Sequence, residues 1–142
     1  MASTVQVGWV GPGLRLLGET ARGSAIVVDH VLPEEDRPEN GVRPMELLLV
    51  GLAGCTGMDV VSVMQKKRQP LSGLQVKVTG ERADEHPKVY THIHVEYVVE
   101  GRGIDPKAVE RSIELSETKY CSAMAMLGKT AEITTSYRIV EP

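Results

Sequence analysis

The stretch that decides the fold is "RPMELLLVGLAGCTGMDVVSVM", residues 43–64, a long apolar run that holds one thiol, Cys55. Pro44 suits the first turn of a helix, and the basic "QKKR" at residues 65–68 suits a last turn before Pro70. We therefore predict a central helix over residues 44–68. Because this helix is apolar on nearly every side, three short strands would not cover it, which predicts a partner chain.

Composition restricts the class of protein. The chain has 142 residues, 42% of them hydrophobic, and a formal net charge of -3. These values are typical of one soluble domain, residues 1–142, and give no electrostatic reason to bind nucleic acid. We expect no membrane span, since glycines dilute the apolar run and Asp59 would be costly inside a bilayer. The N-terminus lacks a signal-peptide pattern, so we expect a cytoplasmic protein with reduced thiols.

Alternating apolar and polar residues predict strands on both sides of the central helix. Residues 1–32 are predicted to form a β meander of three short strands, and residues 33–43 a loop rich in proline and acidic groups. Residues 72–142 predict two long strands, a helix that begins at Asp105 and Pro106, and a last strand. The resulting order, βββ-α-ββ-α-β, belongs to the α+β class.

Two cysteines, Cys55 and Cys121, are the candidates for chemistry. A lone cysteine in an apolar helix usually packs as a small hydrophobic residue, and this is one interpretation of Cys55. The other interpretation is redox chemistry, because a second cysteine can condense with a sulfenic acid to form a disulfide. Neither thiol has neighbours spaced like a zinc site, so we predict no metal.

The run around Cys55, together with "TKYCSAMAMLGKTAEITTSYRIVE" at residues 118–141, resembles the OsmC/Ohr family of peroxide-detoxifying proteins, in particular its YhfA-like branch. The resemblance extends over essentially the whole chain. It implies an OsmC-like fold in which two long central helices pack against antiparallel sheets in an intertwined homodimer. The active sites would then lie at the subunit interface.

The resemblance also implies thiol peroxidase chemistry in oxidative-stress defence. Cys55 is similar to the peroxidatic thiolate of the family, and Cys121 to the resolving thiol that gives a Cys55–Cys121 disulfide. The implied substrates are hydroperoxides, organic ones in the Ohr branch. The implied reductant is a dithiol, for which the Ohr branch uses a lipoylated protein, and no cofactor is implied.

The sequence departs from the Ohr branch in the groups that support the thiolate. In that branch a loop arginine stabilises the thiolate, and a glutamate directly after the helix-opening proline holds the arginine. Here that position is Met45, and Glu46 follows one residue later, about 100° further round the helix. Four arginines could reach the thiol: Arg37 and Arg43 in the loop before the helix, and Arg15 and Arg22 in the N-terminal hairpins. Arg37 is our preferred candidate.

Asp59 is a second departure, because it lies four residues after Cys55 on the same helix face. A carboxylate there raises the pKa of a neighbouring thiol and opposes its ionisation. Two functions therefore remain open. One is a homodimeric, cysteine-based hydroperoxide reductase, and the other is a non-catalytic OsmC-like dimer or small-molecule binding protein in which Cys55 is packed.

Overall fold

The computed structural model describes the whole chain, residues 1–142, which divides into two compact units, Met1–Leu48 and Leu49–Pro142. In chain order the elements are β1 (Val5–Trp9), β2 (Leu16–Thr20), β3 (Ala25–Val28), α1 (Pro44–Lys66), β4 (Leu71–Arg82), β5 (Tyr90–Gly101), α2 (Pro106–Leu115), a π-helical turn (Ser116–Tyr120), α3 (Ser122–Leu127) and β6 (Glu132–Val140). The order confirms the predicted α+β class. It shows that residues 121–129, for which a continuation of the second helix or a separate short helix was expected, contain the short helix α3 after a π-helical turn.

The first unit contains an antiparallel meander in the order β1-β2-β3. The turn between β1 and β2 requires glycine, because Gly11 and Gly13 have φ values of 70° and 59°. The side chains of β1 are exposed along its whole length, and Val5 and Trp9 are 70% and 75% exposed. No other part of the unit therefore covers β1, which is an edge strand of this small sheet.

Helix α1 begins at Pro44, as predicted, and ends at Lys66, two residues before the predicted end. The helix stops there because Arg68 adopts a left-handed conformation, φ 54°, and Pro70 disfavours helical geometry in the residue before it. By length and composition α1 could cross a membrane, but the core helix of a soluble protein passes the same test, and 28% of its most apolar window is buried. The absence of a membrane span stays a prediction.

The sheet of the second unit is mixed, with the order β4-β5-β6. Strand β4 pairs with β5 in antiparallel register, whereas β6 runs parallel to β5. The expectation of antiparallel sheets is thus wrong for this last pair, because the helical connection returns the chain to the end at which β5 began. The buried face of β5 carries Ile93, Val95 and Tyr97.

The second helical region is divided into three parts, of which α2 is the first regular α-helix. Asp105 caps α2 by accepting a hydrogen bond from the Lys107 N–H at 3.0 Å, and the regular helix ends ten residues after it begins. The chain continues through the π-helical turn to Cys121, which is the N-cap of α3. π-Helical turns inside helices are frequent at functional sites. This one begins at Ser116 and ends directly before Cys121.

Candidate active site

The structure brings both cysteines and Asp59 together in the second unit. Cys55 and Asp59 lie one turn apart on α1, and Cys121 approaches from the start of α3. One ligand-type atom from each, the two sulfurs and a carboxylate oxygen, lie within 4.8 Å of one another. Both thiols are free, with Cys55 partly exposed and Cys121 buried. We call these three residues the thiol triangle.

A buried chain of hydroxyl groups leads to the Asp59 carboxylate. Ser116 donates a hydrogen bond to Asp59 Oδ2 at 2.9 Å. Because that bond uses the Ser116 proton, Ser116 accepts from Thr56 at 2.7 Å, and Thr56 in turn accepts from the Tyr97 hydroxyl at 2.6 Å. We call the chain of Tyr97, Thr56 and Ser116 the hydroxyl relay. Because the Asp59 carboxylate can only accept, it fixes which group donates in each hydrogen bond of the relay. The relay orients Asp59 toward the two sulfurs.

Sequence reasoning did not select the relay residues as part of a site. Thr56 and Ser116 have side chains with no exposure, in positions where an apolar residue is usual. A hydroxyl group at a core-facing helical position is a signal that a buried partner exists. The sequence alone does not show which partner, because Thr56, Tyr97 and Ser116 come from three different elements.

Burial keeps Cys121 protonated at neutral pH. Desolvation raises the pKa of the Cys121 thiol well above its usual range, and the neighbouring Cys55 and Asp59 raise it further. The Met124 N–H, which donates to Cys121 Sγ at 3.4 Å, acts in the opposite direction and is outweighed. Burial likewise raises the pKa of Tyr97 to about 12. Cys121 is thus suited to act as a thiol and not as the first nucleophile.

These two raised pKa values predict that the reduced protein loses stability at alkaline pH. In the unfolded chain a thiol titrates near pH ~8.5 and a tyrosine near ~10, whereas in the folded chain both groups hold their protons to higher pH. The unfolded state therefore loses protons first. The contribution of these two groups to the free energy of unfolding is expected to be constant from neutral pH to about pH 8.5 and to fall above it.

Urea unfolding between neutral and alkaline pH, under reducing conditions, measures this fall. Cys121→Ser is expected to remove the part of the fall that begins at lower pH, and Tyr97→Phe the part that begins at higher pH. Tyr120→Phe, at an exposed position, is the control and leaves the pH profile unchanged. A free energy of unfolding that does not change with pH in the wild-type protein would contradict the burial of these two groups.

The predicted supporting residues Arg37, Arg43 and Glu46 lie in the first unit. Arg37 makes a bidentate pair with the buried carboxylate of Asp29, with N–O distances of 2.9 and 3.1 Å, and a third bond to Glu35 at 3.0 Å. Arg37 lowers the pKa of Asp29 well below its usual range. The guanidinium of Arg37 therefore has a structural role in its own unit, and its role toward Cys55 stays a prediction.

Arg43 and Glu46 have local partners as well. Arg43 Nε contacts both carboxylate oxygens of Glu39, at 3.1 and 3.2 Å. The Glu46 carboxylate accepts a hydrogen bond from the Arg43 backbone N–H at 3.1 Å, which caps the start of α1. These contacts explain why both residues suit the entry to the helix. Their proposed support of the thiolate is untested by these contacts.

A cavity of about 310 Å³ opens beside Asp59, the one member of the thiol triangle that lines it. Its wall is formed by α1 together with Leu115 and Tyr120. Lys66 and Lys67 line the same cavity and provide positive charge near the carboxylate. A small molecule in this cavity would reach Asp59 from the side of the π-helical turn.

Comparison with known proteins places the chain in a family. Residues 37–136 match the family described as OsmC-like protein. The chain belongs to the OsmC-like family. It is 42% identical to Protein YhfA of Escherichia coli K12 over 135 residues, which cover 95% of this chain and 96% of YhfA. The family resemblance predicted from the segments around the two cysteines is confirmed.

The OsmC-like chain is similar to solved structures along nearly all of its length. A hypothetical protein from Aquifex aeolicus VF5 has 30% identity and a TM-score of 0.86, and the match covers 100% of this chain and 98% of that one. The organic hydroperoxide resistance protein OhrB of Bacillus subtilis has 15% identity and a TM-score of 0.62, with coverage of 97% and 98%. At 15% identity the second likeness shows the shared OsmC-like fold alone.

Proposed function

We propose that this OsmC-like protein is a hydroperoxide reductase that acts through Cys55 and Cys121 in oxidative-stress defence. The observation that carries the proposal is the meeting of the two free thiols in the thiol triangle, within 4.8 Å, from distant parts of the chain. A disulfide requires a sulfur–sulfur distance of about 2.05 Å, so a modest shift of the Cys121 segment suffices. Organic hydroperoxides are the proposed substrates, by analogy with the organic hydroperoxide resistance protein OhrB, which has the same fold.

In the first chemical step the partly exposed thiol, Cys55, is the nucleophile. The Cys55 thiolate attacks the terminal oxygen of the hydroperoxide, the O–O bond breaks, and the alkoxide leaves and takes up a proton to become an alcohol. Cys55 is left as a sulfenic acid. Cys121 then attacks the Cys55 sulfur, the S–O bond breaks, and the products are a Cys55–Cys121 disulfide and water. A dithiol reduces the disulfide and is itself oxidised.

Asp59 has a proton-transfer role in the second step. Cys121 is protonated at neutral pH and must lose its proton to become a nucleophile. The Asp59 carboxylate, held by Ser116 within 4.8 Å of both sulfurs, accepts this proton and returns it to the departing hydroxide. Asp59 is regenerated, so the step balances as one thiol and one sulfenic acid giving one disulfide and one water.

The homodimer is a further part of the proposal, supported by two exposed apolar surfaces. One is a groove of about 610 Å³ in the second unit, between α1 and β4, lined by Val50, Gly54 and Met58 among others. The other is the exposed strand β1 of the first unit. Apolar surface of this extent is costly to leave in water, and a second copy of the chain is the occupant that an OsmC-like protein would supply.

Substitution of Met58 tests the dimer. Met58 is 77% exposed within one chain, so Met58→Glu places a charge in the proposed interface without disturbing the core of the subunit. We expect the dimer dissociation constant to rise by roughly 30-fold or more, as for a central interface residue. Sedimentation measures it, and Met126→Glu, at a position 75% exposed on α3, is the matched control. A wild-type protein that is a stable monomer at micromolar concentration would contradict the proposal.

The alternative function, a non-catalytic dimer or small-molecule binding protein, is favoured by one observation. The Asp59 carboxylate lies within 4.8 Å of both sulfurs, where its charge opposes formation of a thiolate. The cavity beside Asp59 would then be the binding site, with Lys66 and Lys67 attracting an anionic group. In that case both thiols would oxidise slowly and without preference among peroxides.

Oxidation of the reduced wild-type protein by cumene hydroperoxide and by hydrogen peroxide separates the two functions. The peroxidase proposal expects rapid loss of two thiols per chain, faster with the organic peroxide, and a Cys55–Cys121 disulfide by mass spectrometry. Slow oxidation at equal rates with the two peroxides would reject the peroxidase and leave the binding protein.

Two further experiments test the reductant and the location. Reduction of the disulfide by dihydrolipoamide, compared with reduction by glutathione, tests whether the reductant is a dithiol. Cell fractionation tests the cytoplasmic location.

A further inference from the structure

We propose that the reduced thiol triangle of Cys55, Asp59 and Cys121 binds a thiophilic divalent cation, with Zn²⁺ as the reference ion and one cation per chain. Three ligand-type atoms lie within 4.8 Å of one another. In a tetrahedral zinc site the metal–ligand distances are about 2.0–2.3 Å, which places neighbouring ligand atoms roughly 3.3–3.8 Å apart. A contraction of about 1 Å would therefore form the site.

The ligands are presented as metal ligands usually are. Cys55 and Asp59 are four residues apart on one face of α1, a spacing that directs two side chains at the same ion. Cys121 adds a third ligand from a separate element at the start of α3. Packing of the surrounding core holds these elements, since Thr56 and Ser116 are buried next to the site.

Hydrogen bonds from outside the thiol triangle orient two of its three ligands. Ser116 donates to Asp59 Oδ2 at 2.9 Å, and Ser116 is itself held by the rest of the hydroxyl relay. The Met124 backbone N–H donates to Cys121 Sγ at 3.4 Å, as N–H groups do to a metal-bound thiolate. Such outer contacts fix ligand orientation and change metal affinity by about 10- to 100-fold.

The ligand set selects the class of ion. Two thiolates with one carboxylate suit a borderline-soft ion such as Zn²⁺, whereas Mg²⁺ and Ca²⁺ prefer sites made of oxygen alone. Three protein ligands leave the fourth tetrahedral position to water. On binding, each thiol exchanges its proton for a bond to the cation, so the metal-bound form and the Cys55–Cys121 disulfide exclude each other. Bound Zn²⁺ would protect both thiols from peroxide.

Metal titration of the reduced full chain under anaerobic conditions tests the site. With Co²⁺ we expect one equivalent per chain and a thiolate-to-metal absorption band, which Zn²⁺ then removes by displacement. Cys55→Ser and Cys121→Ser are expected to abolish the band. Ser116→Ala, which keeps all three ligands, is expected to weaken Zn²⁺ binding by about 10- to 100-fold. Asp59→Asn, which keeps both thiols but removes the carboxylate ligand, is expected to weaken it at least as much.

Two control variants separate the thiol triangle from other carboxylates and imidazoles. Glu117→Gln removes a nearby carboxylate and should leave the affinity unchanged. His92→Ala removes the ring that lies 3.8 Å from Glu81 and 3.7 Å from Glu132 on the exposed face of the sheet, and should also have no effect. Full binding in Cys55→Ser, or loss of binding in His92→Ala, would overturn the assignment.

Metal binding needs only the reduced thiols and no peroxide, so it is independent of the proposed peroxidase activity. Failure of the protein to bind Co²⁺ or Zn²⁺, with rapid disulfide formation retained, rejects the metal site alone. Metal binding, together with a lack of peroxide turnover in the metal-free protein, rejects the peroxidase alone. With both present, one equivalent of Zn²⁺ is expected to slow thiol oxidation, and a chelator to restore it.

Discussion

Cys55→Ser is expected to abolish hydroperoxide turnover, with a loss of about 10³-fold or more, as when the nucleophile of an enzyme is removed. A serine hydroxyl at this position cannot attack the peroxide oxygen at neutral pH. The substitution is nearly isosteric and Cys55 is only partly buried, so the free energy of unfolding should change little. Consumption of cumene hydroperoxide with a dithiol reductant measures turnover, and urea unfolding checks the fold.

Cys121→Ser is the paired variant, because it keeps the nucleophile and removes the resolving thiol. We expect one rapid oxidation per chain that stops at the Cys55 sulfenic acid, which dimedone traps and mass spectrometry locates. Steady turnover that is as fast in one of these variants as in the wild type would refute the role assigned to the cysteine that the variant lacks. A rapid first oxidation in Cys55→Ser with modification at Cys121 would show that the two roles are reversed.

Asp59→Asn is expected to slow disulfide formation by about 10²- to 10⁴-fold, the range over which general acid–base catalysis contributes. The amide keeps the size of the side chain and can still accept from Ser116, but it cannot take the proton of Cys121. The first step should not become slower, because it does not use Asp59 as a base. The sulfenic acid should therefore accumulate before the disulfide appears.

Stopped-flow measurement of the two phases, with quenching and mass spectrometry, separates the steps. Glu117→Gln is the matched control, since it removes a carboxylate of the neighbouring π-helical turn that lies outside the thiol triangle. A rate of disulfide formation in Asp59→Asn equal to that of the wild type would show that Asp59 does not remove the proton of Cys121. It would leave Asp59 as a structural partner of Ser116.

The helix was predictable in nearly its whole length because its determinants are local. Pro44 at the start, the apolar run and Pro70 beyond the end all act within the segment itself. The strands were predictable for the same reason, since alternation along β5 places Ile93 and Val95 inside and His94 outside. The parallel pairing of β6 was not, because it depends on where a long connection returns the chain.

The sequence by itself determined the α+β order, the helix that holds Cys55, and the family to which the chain belongs. Each of these depends on patterns among residues that are close together in the sequence. The family resemblance had already paired Cys121 with Cys55. Only the tertiary structure decided that Asp59 lies beside both sulfurs and that Ser116 orients the carboxylate. These contacts join α1 to the turn before α3, which are separated along the chain by β4 and β5. Local propensity carries no information about pairs of residues that are so far apart in the sequence. The site therefore forms only when packing of the core brings these elements together.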